Sequence, residues 1–239
     1  MTDPYLLMRF EAPLMSFGAA MTEQSGPTWR FPGRAMLAGL LGNALGYAHW
    51  ESDRLQALQD ALVFGARVDR GGERVLDYQT VDLGQEFMLS GWTTAGRLQG
   101  RGGASATGTQ IRRREYWADS ILTVALRVCR VPGVPTEQEL HDALHCPERP
   151  LFIGRKPCLP SVPLALGVVL AESLWLALRD APSHPRADRA PWPALLPAAE
   201  CPDAARTLLQ HRTDDRDWPN QIHVGRRQVY EVLIGGTDA

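Results

Sequence analysis

The chain has 239 residues with 25 basic and 27 acidic side chains and a formal net charge of −2. That is long enough for one large domain or two small ones, while a pI of about 6.3 excludes a protein that holds nucleic acid by bulk positive charge, for which a domain pI above about 9 is usual. Cys129, Cys146, Cys158 and Cys201 form no CxxC pair or zinc spacing, which argues against a disulfide framework and a zinc finger.

The start, MTDPYLLMRF, is acidic where a signal peptide is basic, and no apolar run approaches the ~18 residues of a membrane span. A soluble, cytoplasmic protein without membrane contact is expected. Residues 5–10 read as a short strand, ended by Pro13 and Gly18. A helix is predicted over 34–47, because Met36, Leu37, Leu40, Leu41, Ala44 and Leu45 recur at helical spacing after Pro32 and Gly33. Gly39 and Gly42 weaken that helix, so a packing or ligand reason is expected for them. Leu55, Leu58 and Leu62 mark a second short helix, and residues 63–68 a strand.

The clearest strand is 121–131, where Leu122, Val124, Leu126 and Val128 alternate with Thr123, Ala125, Arg127 and Cys129, so one buried face is expected. Thr136 and Glu139 form a capping box that opens a helix carrying Leu140, Ala143 and Leu144 inward. Residues 151–153 read as another strand. The order, strand, helix, strand, strand, helix, strand, predicts an α+β, ferredoxin-like domain.

Two segments depart from that pattern. Seven glycines fall in the 25 residues 84–108, inside what should be a direct strand connection, and a long insertion of this kind is usually functional or disordered. Six prolines in the 21 residues 182–202 read as an irregular connection, after which residues 221–234 read as a strand or hairpin. The first insertion also carries charge. Between Glu86 and Glu115 there is no acid, and five arginines fall there: Arg97, Arg101, Arg112, Arg113 and Arg114. Arginine's planar fork matches phosphate oxygens and stacks on bases.

Four patches in one order, RFPGRAMLAGLLGNALG at 30–46, LDYQTV at 76–81, RREYWADSILTVAL at 113–126 and LFIGRKPCLPSVPL at 151–164, resemble the CasD family. That family supplies the small subunit at the foot of the type I-E CRISPR surveillance complex, Cascade. The resemblance implies a RAMP domain over 1–165 with a β-hairpin thumb inserted at about 82–113. It also implies a small β-rich extension over 166–239 that includes the Pro-rich irregular segment, about 182–219. It further implies a non-catalytic subunit that caps the 5′ handle of the guide RNA (crRNA), abuts the large subunit and a backbone subunit, meets target DNA only indirectly, and needs no cofactor or metal.

On this reading Arg112, Arg113 and Arg114 contact phosphates, with Arg97, Arg101 and Gln79 beside them, while Gly102 and Gly103 let the backbone approach a kinked strand. Tyr78, Trp92 and Tyr116 are the candidate stacking rings, set against a role in packing or subunit contact. Arg30 and Arg34 bracket Pro32 and Gly33 just before a helix, where free N–H groups suit a phosphate. The family carries Pro-Thr-Lys/Arg-Ser there, so Gly33 and Ala35 remove both hydroxyls. Gly154, Arg155 and Lys156 form a second basic turn.

The rival class is a metal-independent endoribonuclease, as in the subtype I-C relative, which needs a general base and acid near a 2′-hydroxyl. His49, His141, His145, His184, His211 and His223 all lie outside the insertion and away from Lys156, so no catalytic cluster is visible; Tyr47 and His49 are read as a solvent-facing pair at a helix end. His141 and His145, four apart with Cys146 adjacent, supply at most half a metal site.

Overall fold

A computed structural model describes residues 2–21, 24–88, 90–92, 97–100 and 108–235, the side chains of Met88 and Trp92 excepted. Strand β1 (Asp3–Glu11) leads through the two-residue strands β2 (Leu14–Met15) and β3 (Ser25–Gly26) to helices α1 (Arg34–Ala44) and α2 (Ser52–Ala61). β4 (Leu62–Arg70) and β5 (Glu73–Asp82) follow, then a short hairpin of β6 (Ser90–Trp92) and β7 (Leu98–Gly100), then β8 (Thr109–Ala118) and β9 (Ile121–Val128). Next come α3 (Glu137–His145), β10 (Ala165–Ala171), α4 (Leu174–Asp180), β11 (Trp192–Pro197), β12 (Leu208–Arg212), β13 (Asp215–Asp217), β14 (Ile222–Val224) and β15 (Arg227–Ile234). The fold is mixed α/β and dominated by sheet, with four helices among the described residues.

One antiparallel sheet runs β10-β1-β9-β4-β11-β15-β12. Leu6, Met8 and Phe10 of β1 and Leu122, Val124 and Leu126 of β9 project into the larger core, shared with Leu37 and Leu41 of α1, Leu58 of α2 and Leu140 of α3. Tyr5, Leu7 and Ala125 point the other way, against Leu174, Ala177 and Leu178 of α4. β9 is therefore buried on both faces, not on one. Small side chains hid the second face: Ala125 and Gly65 leave room for α4, and a Cβ at Gly65 would stand 2.7 Å from Leu178 Cδ1.

The predicted capping box is present, with the Thr136 hydroxyl accepting from the Glu139 amide and the Glu139 carboxylate accepting from the Thr136 amide. Gly42 serves packing, since a Cβ there would meet Leu55 Cδ2 of α2 at 2.6 Å, whereas one at Gly39 would make only an ordinary contact with Trp218 at 3.6 Å.

Three expectations need correction. Residues 151–153 form no strand; the strand that pairs along β1 is β10. The segment 151–164 is instead a loop pinned by hydrogen bonds from Ile153 N to the Cys158 carbonyl (2.7 Å) and from Arg9 N to the Leu164 carbonyl (2.7 Å). The Pro-rich segment supplies β11, which lies between β4 and β15. Pairing of β11 with β4 is confined to Ala194 and Leu195, so Pro193 and Pro197 withhold no donor from it. Finally, the division expected between residues 165 and 166 falls inside β10, and β11, β15 and β12 continue the same sheet.

The insertion is longer than its glycines marked. β5 and β8 pair residue by residue from Glu73 with Ala118 to Asp82 with Thr109, a two-stranded ribbon about 33 Å long at the usual strand rise. At its root β8 also pairs with β2 through Leu14 and Met15, and in parallel with β3 through Ser25 and Gly26. No helix among the described residues is long and apolar enough to cross a membrane.

Candidate RNA-binding face

Side chains alternate between the two faces of a ribbon, and directly paired residues share a face. Register therefore separates the three consecutive arginines. Arg113 stands opposite Tyr78, whereas Arg112 and Arg114 stand opposite Gln79 and Asp77 on the other face. Arg113 is exposed and its guanidinium lies 5.9 Å from the ring centroid of Tyr78, itself 53% exposed. Leu76 adds an exposed apolar side chain on the same face. Glu115 on that face is neutralised by Arg74 at 2.6 Å. Arg112 is partly buried, with weak bonds to the Ile111 carbonyl (3.5 Å) and to Gln110 (3.4 Å), and the Gln79 amide donates to Asp77 at 2.6 Å. Arg97 is exposed. Arg101, Gly102, Gly103 and the side chain of Trp92 lie outside the described residues.

Tyr116 does not serve as a stacking ring: it is 2% exposed, packed in the main core beneath the Arg155 guanidinium at 4.9 Å. Arg155 is likewise held, donating to the Glu115 carbonyl (2.9 Å) and the Gly26 carbonyl (2.8 Å). It bolts the 154–158 turn to the ribbon root. A Cβ on Gly26 would lie 2.9 Å from Arg155 Nη2, so the absent side chain is what lets the Arg155 guanidinium reach the Gly26 carbonyl. Gly154 is required for the same junction, since at φ +90 its Cβ would fall on the Ser16 carbonyl oxygen. Lys156 is exposed beside it.

The start of α1 is already filled. Asp214 accepts from the Arg34 amide (3.4 Å) through its side chain and from the Ala35 amide (2.9 Å) through its carbonyl. Arg34 forms a fork-to-fork pair with Asp215, both bonds 2.5 Å, and Arg30 reaches Glu231 at 3.5 Å. Carboxylates of this chain thus occupy the place predicted for a phosphate. Burial alone would raise the Asp214 pKa, but the Arg227 hydrogen bonds and charge, the Arg34 amide and the Arg212 charge together hold it below the ordinary carboxylate value. Gly33 fits this arrangement, because its Cβ would stand 3.1 Å from that of Asp214.

A family profile described as CRISPR-associated protein (Cas_Cas5) matches residues 5–230. The chain belongs to the Cas5 family. It is 32% identical over 174 residues to the CRISPR system Cascade subunit CasD of Escherichia coli (strain K12), covering 73% of this chain and 75% of that one. Its fold is similar to a chain of a CRISPR RNA-guided surveillance complex, with a TM-score of 0.68 at 23% identity over 96% of this chain and 90% of the other. It also resembles a solved Cas protein, with a TM-score of 0.55 at 22% identity over 96% and 94% of the two chains.

In this Cas5 chain Arg155 also borders a cleft of about 500 Å³ that sequence reasoning missed. α1 supplies one wall through Met36, Gly39 and Asn43, the 16–18 loop and the 152–155 turn a second, and the β13–β14 hairpin a third. Tyr47 and His49, read above as a solvent-facing pair, line it, although Tyr47 is buried and carries Arg54 over its ring at 3.8 Å. The one advance signal was the glycine-bearing face of α1. The hairpin that completes the cleft, residues 215–224, lies about 175 positions away in sequence from that face. His141 and His145 stand edge to face at 4.5 Å, and no cluster of three or more potential metal ligands occurs among the described residues.

Proposed function

We propose that this Cas5-family chain is a non-catalytic subunit of a CRISPR surveillance complex that holds the 5′ handle of the guide RNA. It works in the cytoplasm, abuts a backbone subunit and the large subunit, and meets target DNA only through the assembly. The observation that carries the reading is the cross-strand pair of Arg113 and exposed Tyr78, 5.9 Å apart on a projecting ribbon. A cation and an aromatic plane on one face are what a single strand of RNA uses, phosphate on one and base on the other.

The β-α-β-β-α-β succession of β1, α1, β4, β9, α3 and β10 supports a ferredoxin-like domain, with the β5–β8 ribbon as its thumb and β11 to β15 as its extension. Lys156 and Arg114 extend the cationic surface along the ribbon root, whereas Arg30, Arg34 and Arg155 act by holding the scaffold.

The test is co-expression of the chain with the other subunits and a repeat-containing RNA. Replacing Arg112, Arg113 and Arg114 by Glu is expected to release the guide RNA or expose its 5′ end to nuclease. Unchanged RNA content and handle protection overturn the proposal in favour of a purely protein-binding adaptor. Site-specific cleavage of repeat RNA in EDTA by the isolated chain overturns its non-catalytic part.

A further inference from the structure

Strand β10 closes one end of the seven-stranded sheet, next to β1. Its hydrogen-bonding directions follow from β1. The Arg9 amide donates to the Leu164 carbonyl, so Arg9 turns its backbone groups toward the β10 side, and by alternation Leu7, Tyr5 and Asp3 do the same. These stand opposite Gly167, Val169 and Ala171, whose N–H and C=O groups therefore face β1. Those of Val168 and Leu170 face away from the sheet. Pro4, opposite Leu170, agrees with this, because its missing N–H withholds nothing from β10. Among the described residues no other strand pairs with the outward groups.

An open edge of this kind is normally blunted by charge, proline or cover. β10 reads ALGVVLA, without charge or proline. One bulge interrupts it, where the pairing steps from Leu7–Gly167 to Met8–Ala165 and Gly167 takes φ +147; residues 168–171 beyond it pair regularly. Leu170 is 72% exposed and Leu166 43%. Val168, between them, packs against the main core and is still only half-buried. The opposite end of the sheet differs, since β12 reads LLQHR and carries polar and charged side chains over its last three residues.

We infer that β10 pairs with β10 of a second copy of this chain, antiparallel, about a two-fold axis through Val168. Self-complementarity selects that occupant. In a two-fold interface the same patch serves both copies, and an axis through Val168 sets its outward N–H and C=O against those of the other Val168 as a hydrogen-bonded pair. Leu170 then lies opposite Leu166 at both ends, and every residue brought face to face is apolar. Neighbouring registers that keep the side-chain faces matched are worse. An axis through Val169 sets Leu166 opposite Glu172, and one through Gly167 sets Leu170 opposite Leu164, which is buried and whose carbonyl is already bonded to Arg9. The pairing belongs to the free chain and does not rest on the RNA-holding reading.

The experiment is sedimentation velocity of the purified full-length chain over a range of concentrations, with hydrogen exchange followed in the peptide spanning 165–171. The variants are Leu166→Glu, Leu170→Lys, the two together, and Leu208→Lys on the opposite edge. All three side chains are exposed, so folding is unaffected. Expected are a concentration-dependent dimer in the wild type, slow exchange of 165–171 at high concentration only, and self-association about tenfold weaker in Leu166→Glu and in Leu170→Lys. The double variant should recover dimerisation, because the introduced carboxylate and ammonium face each other at both ends of the pairing. Within one chain the two positions are about 13 Å apart along the strand, so recovery cannot come from an internal ion pair. Leu208→Lys should leave the dimer unchanged.

A monomer at every concentration overturns the inference, as does a dimer that Leu170→Lys leaves intact or that the double variant fails to restore. If the free chain is monomeric and 165–171 is protected only when the other subunits are co-expressed, the edge takes a strand from a different subunit and the second copy is excluded.

Discussion

Asp214 joins two elements at one carboxylate. It accepts from the Arg34 amide at the start of α1 and pairs with Arg227 of β15, and both side chains are almost fully buried. Removing one partner of a buried pair leaves the other charge uncompensated, so Asp214→Ala is expected to cost about 3 to 5 kcal/mol in denaturant unfolding. The pH dependence has a definite sign. Because the folded carboxyl is held below the ordinary value of 3.8, the unfolded chain takes up its proton first as pH falls. The stabilisation is therefore complete above 3.8 and disappears as pH drops through the lower, folded value. Stability curves for wild type and Asp214→Asn should converge in that acid window, and a difference that persists unchanged through it refutes the account. The sequence placed Arg34 correctly at a helix start but left it free for phosphate, because its occupant lies 180 positions away. Charge pairs of that separation leave no local pattern.

Among the elements, those with period were legible and those defined by a neighbour were not. β1, α1, α2, β4, β9 and α3 all announced themselves by alternation, helical spacing or a capping box. α4 is seven residues long and its docking site is made by small side chains, which read as nothing in particular. β11 carries two prolines, and its place inside the sheet depends on pairing only Ala194 and Leu195 with β4. The ribbon was visible through its glycines and missing acids, yet its true start at Glu73 lies in a strand whose residues are mostly exposed, where neither face declares itself.

The α4 contact gives a prediction at this scale. A Cβ at Gly65 would meet Leu178 Cδ1 at 2.7 Å and the Leu195 carbonyl oxygen at 3.0 Å, and backbone cannot yield as a side-chain tip can. Gly65→Val should therefore cost about 1 to 3 kcal/mol through overpacking, read as a lower denaturation midpoint. Gly100→Ala, which meets nothing within 4 Å, should leave the midpoint unchanged. Equal midpoints for the two variants would show that α4 does not sit against β4 as described.

For the whole molecule, a net charge of −2 must coexist with the RNA binding proposed above, and the distribution of charge shows how it can. Many arginines are spent on internal carboxylates and carbonyls, as Arg34, Arg67, Arg155 and Arg227 show. Those on β8 sit on a ribbon that balances them, with Glu73, Asp77, Asp82 and Glu115 against Arg74, Arg112, Arg113 and Arg114, so attraction is local and weak at a distance. Binding of single-stranded RNA by the isolated chain should then depend on salt in proportion to a few phosphates only. If Arg112, Arg113 and Arg114 each neutralise one phosphate, the slope of log K against log salt is about −2, at roughly −0.7 per contact. Arg113→Ala should make it shallower by about 0.7 and, because Tyr78 loses its guanidinium neighbour, also weaken binding at high salt where screening has removed most of the phosphate contribution. Anisotropy titrations from low to high salt measure both effects. A slope near zero in the wild type would show that RNA is gripped without phosphate contacts, and an unchanged slope in Arg113→Ala would take that arginine out of the interface.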